Sequence, residues 1–167
     1  IADVLYGDVN PSGKLSMSFP YSVGQIPVYY SQKTTGRPMD PNNKFSTKYL
    51  DIPNEPLFPF GYGLSYTQFE YGALQLSAKQ LKGNQTLTVT VPVKNTGKYA
   101  GKEVVQLYIK DVKSNTWMPH KQLREFTRIS LKKDEEKIVN FILNPRDDLR
   151  YYDVIKQGYA IEPGKFE

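Results

Sequence analysis

Hydrophobic and polar residues alternate along the second half of the chain. From residue 87 to residue 93, Leu and Val occupy the odd positions and are separated by Thr and Pro, and residues 138–143 form a similar run. A period of two with β-branched residues is typical of a strand with one buried face. The same reasoning predicts shorter extended runs at residues 74–76, 104–109, 126–131, 151–153 and 159–162.

The first part of the chain has a different pattern. Residues 8–66 are rich in Pro, Gly, Tyr and polar residues, and only residues 15–19 and 27–30 form short extended runs. Such a segment is expected to lie across a larger surface, with its aromatic residues as anchors. The fold class predicted is mainly β: an immunoglobulin- or fibronectin type III-like β-sandwich at 67–167, preceded by an irregular extended segment.

Both ends of the chain predict that it is a piece of a longer protein. Ile1, Val4 and Leu5 have the spacing of one helix face, and Gly7 follows as a stop signal, so a helix is expected to end here. At the other end, residues 165–167 follow a Pro-Gly turn and begin an extended run. The sandwich is therefore expected to lack its last strand or strands.

Composition excludes several classes of chemistry. The chain has no cysteine and a single histidine, His120, which excludes disulfide scaffolds, thiolate catalysis and the usual zinc sites. No apolar run approaches the roughly 18 residues of a membrane helix. The net charge of +5 comes from lysines scattered after residue 66, which predicts a solvated surface and no nucleic-acid site. No cofactor or metal is expected.

A glycine-rich run near the start does not fit a nucleotide site. Residues 7–15 have five residues between the glycines where a phosphate loop has four, and Leu15 replaces the Ser or Thr that follows its lysine. Residues 10–13 instead predict a tight turn, with a positive φ at Gly13.

The carboxylate clusters do not indicate a catalytic pair. Asp147 and Asp148, and the acidic run at residues 134–136, are neighbours in sequence on predicted turns, where their side chains diverge into solvent. Retaining glycoside hydrolysis requires two carboxyl groups about 5–5.5 Å apart across the scissile bond. No catalytic residue is therefore assigned.

A binding function is the main alternative. Trp117, Tyr151 and Tyr152 could stack on sugars if they lay exposed along one face, which would make the sandwich a carbohydrate-binding or adhesion module. For Trp117, an aromatic anchor at a domain junction is the favoured interpretation.

Several motifs, in order, resemble glycoside hydrolase family 3. Residues 2–15 (ADVLYGDVNPSGKL) resemble the end of its α/β sandwich domain, and residues 56–67 (PLFPFGYGLSYT) resemble its linker. The fibronectin type III-like domain of the family is matched by VKNTG, GKEVVQLY and EPGKF, and the runs GQIPVYY and TGRP narrow the resemblance to the bacterial periplasmic β-glucosidases.

The resemblance implies a retaining β-glucosidase that hydrolyses terminal β-D-glucosyl residues and is periplasmic or secreted. Residues 1–66 would be the C-terminal tail of the α/β sandwich domain and the linker, and residues 67–167 the fibronectin-like domain. The family's nucleophile and acid/base lie upstream, and no position here matches either motif. The implied role is structural and non-catalytic, with the barrel and the α/β sandwich domain of the same protein as partners and β-glucosides or oligosaccharides as substrate.

Three residues are predicted to lie at the rim of the sugar pocket of that enzyme. Arg37, Lys48 and Tyr49 carry groups suited to recognising hydroxyls. An equally open interpretation is that the cations hold an irregular loop together.

Overall fold

The computed structural model describes residues 1–33 and 36–167, so Thr35, the first residue of the TGRP run, lies outside the described residues. Two compact units form, and neither is continuous in sequence. The first comprises residues 1–13, 64–107 and 123–163, and the second comprises residues 14–63, 108–122 and 164–167. No helix within the described ranges is long and apolar enough to cross a bilayer.

Eight strands account for most of the regular structure, which confirms the mainly β prediction. In chain order they are β1 (Phe69–Tyr71), β2 (Gln75–Leu76), β3 (Leu87–Asn95), β4 (Gly101–Ile109), β5 (Gln122–Leu131), β6 (Glu136–Leu143), β7 (Tyr151–Asp153) and β8 (Gly158–Ala160). The helices are short: α1 (Ala2–Leu5), a 3₁₀ turn at Val23–Gln25, and α2 (Pro145–Asp148).

The strands form an antiparallel sheet around β3. Strands β1 and β2 pair with one side of β3, β6 pairs with its other side, and β4–β5 and β7–β8 form two further pairs. The alternation seen in the sequence sets which face is buried. The core consists of Val89, Val91, Val93, Val105, Leu131, Val139, Phe141 and Leu143. Burying each side chain of this kind stabilises the fold by roughly 1.5–3 kcal/mol.

Side-chain hydrogen bonds join the ends of these strands within the first unit. Asn95 is fully buried: its Oδ1 accepts from Thr67 Oγ1 (2.7 Å), and its Nδ2 donates to the Tyr99 carbonyl (2.8 Å). Gly97 lies so close to Thr67 that a Cβ there would be 2.5 Å from the backbone nitrogen of Gln68. Only glycine fits at this crossing.

Several local predictions were wrong. Residues 10–13 form no turn and Gly13 has no positive φ, because Asn10 instead bonds across the unit to Ser65 Oγ (2.9 Å), Tyr66 N (2.9 Å) and the Ala100 carbonyl (2.9 Å). Of the two extended runs predicted in the first part, residues 15–19 make one isolated bridge, Phe19–Phe58, and residues 27–30 lie in no strand or bridge. Asp147 and Asp148 lie in α2 rather than on a turn, with Asn144 capping the helix by accepting from Arg146 N. The helix predicted at the start is confirmed.

Candidate functional site

The loop around residues 37–55 holds the three predicted rim residues. The carbonyl of Arg37 accepts from Thr47 N (2.9 Å), which closes the loop, and Asp40 Oδ1 accepts from Asn42 N (2.9 Å). Ser46 Oγ donates to the Asp40 carbonyl (2.9 Å). This short segment is therefore stabilised mainly by bonds to its own backbone.

The side chains of the three rim residues are engaged to different degrees. Lys48 Nζ lies 3.4 Å from the Asn43 carbonyl, and Tyr49 Oη lies 3.4 Å from the Gln25 carbonyl. The Arg37 side chain is exposed, and among the described residues no hydrogen bond or ion pair engages its guanidinium. The backbone brings Arg37 beside Thr47, so the three share one loop, and of the three only the Arg37 side chain makes no hydrogen bond among the described residues.

Gln25 binds this loop through its side-chain amide, and the sequence analysis assigned it no role. Its side chain is 2% exposed, and its Nε2 donates to the carbonyls of Pro53 (3.0 Å) and Glu55 (3.0 Å) and lies 3.4 Å from that of Asn54. Its Oε1 accepts from Tyr21 N (2.8 Å). The amide therefore ties two sequence-distant segments together. Only its position in a Gly-Gln-Ile-Pro run could have drawn attention to it.

Among the residues that the structure describes, only one acidic side chain is buried. Glu103 is 7% exposed, and its Oε1 accepts from Tyr71 Oη (3.3 Å). Burial, and then the negative charge of Glu103, raise the pKa of Tyr71 well above its ordinary value. Within the described ranges no group of three His, Cys, Asp or Glu side chains could hold a metal ion.

An aromatic cluster occupies the second unit. Tyr30 stacks on Phe60 (centroids 4.1 Å apart) and meets Tyr108 edge-on (6.2 Å), while Lys121 lies over the Tyr108 ring (5.0 Å). Burial, and then Tyr30, raise the pKa of Tyr108. Trp117, in the same unit, is 64% exposed and has the Lys33 ammonium 5.0 Å from its ring centroid.

The other aromatic candidates belong to the first unit, in the β7–β8 hairpin. Tyr152 is 53% exposed and meets Tyr159 at an interplanar angle of 83°, and the Arg150 guanidinium lies 4.4 Å from the Tyr159 centroid. Tyr151 is only partly exposed and pairs with Ala160. The nearly perpendicular rings of this hairpin do not make one flat surface for a sugar.

Two families match the chain. Residues 1–66 match the glycosyl hydrolase family 3 C-terminal domain, and residues 103–167 match the fibronectin type III-like domain. The chain is 49% identical to the periplasmic beta-glucosidase of Salmonella typhimurium and 43% identical to the thermostable beta-glucosidase B of Acetivibrio thermocellus. Each match covers 99% of this chain and 22% of the relative.

A solved structure is similar over the same span. The beta-glucosidase from Listeria innocua in complex with isofagomine superposes with a TM-score of 0.91 at 46% identity, covering 99% of this chain and 23% of that one. A beta-xylosidase from Formosa agariphila is 45% identical over 99% of this chain and 22% of the relative. The chain therefore spans about a fifth of the length of the proteins it matches.

Proposed function

Since this chain belongs to glycoside hydrolase family 3, we propose that it is the non-catalytic, structural C-terminal region of a retaining β-glucosidase that acts on terminal β-D-glucosyl residues. The observation that carries the proposal concerns the acidic side chains of the described residues. Only one of them is buried, that of Glu103, and it accepts a hydrogen bond from a tyrosine. A retaining glycosidase requires two opposed acids.

Exposed apolar side chains support a buttressing role. Within the second unit, Met17, Val23, Ile26, Tyr29 and Leu50 are all more than half exposed, and Leu50 is 99% exposed. Large exposed apolar groups of this kind are suited to burial against a neighbouring domain. The partners proposed for this surface are the barrel and the α/β sandwich domain of the same protein.

The first test compares the isolated chain with the full-length protein on nitrophenyl β-glucoside. We expect turnover by the full-length protein and none by the isolated chain. Backbone amide hydrogens of residues 14–63 should exchange faster in the isolated chain than in the full-length protein, while those of β3 should exchange at the same rate in both. Turnover that follows the isolated chain through repeated purification would disprove the non-catalytic role. Preference for nitrophenyl β-xyloside would redirect the substrate proposal, since β-xylosidases are among the relatives.

The rim role of Arg37, Lys48 and Tyr49 is part of this proposal. An exposed guanidinium without a partner in its own loop is suited to donating hydrogen bonds to sugar hydroxyls. In the full-length enzyme, Arg37→Ala is expected to lower kcat/KM by about tenfold or more, because a hydrogen bond from a charged donor contributes about 1.5–3 kcal/mol. Lys44→Ala in the same loop is the control. An unchanged kcat/KM for Arg37→Ala would show that Arg37 does not contact the substrate.

Two further parts of the proposal have their own tests. A periplasmic or secreted location is supported by the name of the Salmonella relative, a periplasmic beta-glucosidase, and cell fractionation tests it. The alternative sugar-binding module is supported by the exposure of Trp117 alone. We expect titration with cello-oligosaccharides to show no saturable binding. Saturable binding that Trp117→Ala abolishes would support the sugar-binding module instead.

A further inference from the structure

Asn10 joins the start of the chain to two other segments of the first unit. Its side chain is half-buried, and its Oδ1 accepts from Ser65 Oγ (2.9 Å) and Tyr66 N (2.9 Å). Its Nδ2 donates to the carbonyl of Ala100 (2.9 Å), the residue that directly precedes β4. These four residues form the Asn10 junction, which connects three segments that lie far apart in the sequence.

The side-chain amide of Asn10 matches this set of partners. Tyr66 N is a backbone donor and the Ala100 carbonyl is a backbone acceptor, so they fix which end of the amide points to each. An amide oxygen can accept two hydrogen bonds and an amide nitrogen can donate two, whereas a carboxylate only accepts. The junction therefore depends on both ends of the Asn10 amide.

The junction is also connected to helix α1. Tyr66 Oη donates to the carbonyl of Val4. Val9 N, next to Asn10 in the chain, donates to the carbonyl of Asp3 (3.0 Å). Hydrogen bonds thus attach the helix from two directions, through the Tyr66 side chain and through the backbone that leads to Asn10. Three large apolar side chains of the same segment are largely exposed: Ile1, Leu5 and Tyr6.

The start of β4 leaves little room around the junction. A Cβ at Gly101 would lie 2.9 Å from Asn10 Nδ2 and 2.7 Å from Thr67 Cγ2, so any other residue here would displace the amide. Thr67 is held in turn by β3, because its Oγ1 donates to Asn95 Oδ1 (2.7 Å). The position of Asn10 is therefore fixed by the packing of the strands.

The three sequence regions that resemble glycoside hydrolase family 3 meet at this junction. Asn10 belongs to the first motif, Tyr66 belongs to the linker motif, and Gly101 begins the GKEVVQLY motif of the fibronectin-like domain. The region that matches the C-terminal domain of the family ends at Tyr66. The contacts of Asn10 therefore lie at the border between the two matched domains.

We propose that the Asn10 junction makes the fibronectin-like sandwich and the α/β sandwich domain of the full-length protein open as one cooperative unit, by fixing the end of helix α1 to the start of β4. Segments that share such contacts separate only when those contacts break together. The inference rests on the proposed function in assigning residues 1–10 to the α/β sandwich domain.

Hydrogen exchange in the full-length protein tests the junction directly. Asn10→Ala removes the three side-chain hydrogen bonds, and we expect the backbone amides of residues 2–9 to exchange about tenfold faster while those of β3 keep their wild-type rates. Asn84→Ala, at an exposed turn, is the matched control and should change the exchange of neither segment.

A substitution on the sandwich side distinguishes coupling from local stability. Asn95→Ala removes the partner of Thr67 Oγ1, so it should speed exchange in β3 and, through the junction, in residues 2–9. When it is combined with Asn10→Ala, it should speed exchange in β3 alone. The difference between the two backgrounds measures the coupling between the segments.

Two further variants keep the test decisive should Asn10→Ala fail to fold. Asn10→Asp retains the two acceptor interactions and loses the donor to the Ala100 carbonyl, so residues 2–9 should exchange at a rate between those of the wild type and Asn10→Ala. Gly101→Ala should speed their exchange as Asn10→Ala does, because its methyl group displaces the amide.

Two results would overturn the inference. The first is unchanged exchange of residues 2–9 in both Asn10→Ala and Gly101→Ala. The second is an effect of Asn95→Ala on residues 2–9 that is equal with and without Asn10. Neither measurement depends on turnover, so a full-length protein without β-glucosidase activity would contradict the proposed function and not this inference.

Discussion

At the scale of single residues, two buried amides organise the chain. Asn95 in the first unit joins Thr67, Tyr99 and the Leu131 carbonyl (3.3 Å from Nδ2), and Gln25 in the second unit joins residues 53–55 to Tyr21. A buried amide is stable only when its donors and acceptors are all paired, so each of them specifies one arrangement of the backbone around it.

Asn95→Ala should be one of the more destabilising polar substitutions in the first unit. It leaves Thr67 Oγ1 and the carbonyls of Tyr99 and Leu131 without this partner, and an unsatisfied buried group costs about 1–3 kcal/mol. We expect a loss of about 2–4 kcal/mol in the free energy of unfolding, measured by urea denaturation. Asn84→Ala, at an exposed turn, should change it by less than about 0.5 kcal/mol. Equal effects of the two variants would show that the hydrogen bonds of Asn95 do not stabilise the fold.

At the scale of elements, the turn between β5 and β6 is stabilised by one carboxylate. Lys132 N donates to Glu135 Oε2 (2.6 Å), and the Lys137 ammonium lies 3.4 Å from Oε1. The backbone hydrogen bond from Lys132, and then the charge of Lys137, lower the pKa of Glu135 below its ordinary value. The acidic run that the sequence places on a turn therefore includes one side chain that closes that turn.

The lowered pKa of Glu135 predicts a pH dependence of stability. The folded state binds this proton less readily than the unfolded state, so the stabilisation is present at neutral pH and is lost as pH falls through the acidic range below the ordinary pKa of glutamate. In urea denaturation across that window, Glu135→Gln should lose less stability than the wild type. Glu136→Gln, whose carboxylate makes no hydrogen bond in the structure, should follow the wild type. Parallel curves for all three proteins would contradict the role of Glu135.

At the scale of the whole molecule, the second unit consists largely of irregular backbone held by side-chain hydrogen bonds. Among the described residues of this unit, regular structure is limited to the 3₁₀ turn, the ends of β4 and β5, and isolated bridges such as Phe19–Phe58. The geometry of the loop that carries Arg37, Lys48 and Tyr49 therefore depends on residues that do not themselves reach a ligand. Gln25 is the main example.

Gln25→Ala in the full-length enzyme tests this dependence. Without the amide, the carbonyls of Pro53 and Glu55 lose their donor and the loop should loosen, so we expect KM to rise roughly three- to tenfold with a smaller change in kcat. Backbone amides of residues 47–55 should exchange faster. Gln32→Ala, with an exposed side chain, is the matched control. Unchanged KM and unchanged exchange would limit Gln25 to a local structural role.

The β part of the fold was predictable because one buried face imposes a period of two on the sequence. The runs at 87–93 and 138–143 lie inside β3 and β6, and residues 151–153 coincide with β7. Strand β1 was not predicted, since three residues show no period. In residues 8–66 no period exists, so the roles of Asn10 and Gln25 could not be recognised, although the three rim residues do share one loop.

The sequence by itself determined the family, the mainly β class and the half-buried alternation of β3, because local alternation and ordered motifs carry that information. Only the tertiary structure decided which amides are enclosed, that Glu103 faces Tyr71, and that Asn10 bonds to Tyr66 and Ala100. The reason is physical: enclosure and strand neighbours depend on contacts between residues far apart in sequence, and such contacts leave no local pattern along the chain.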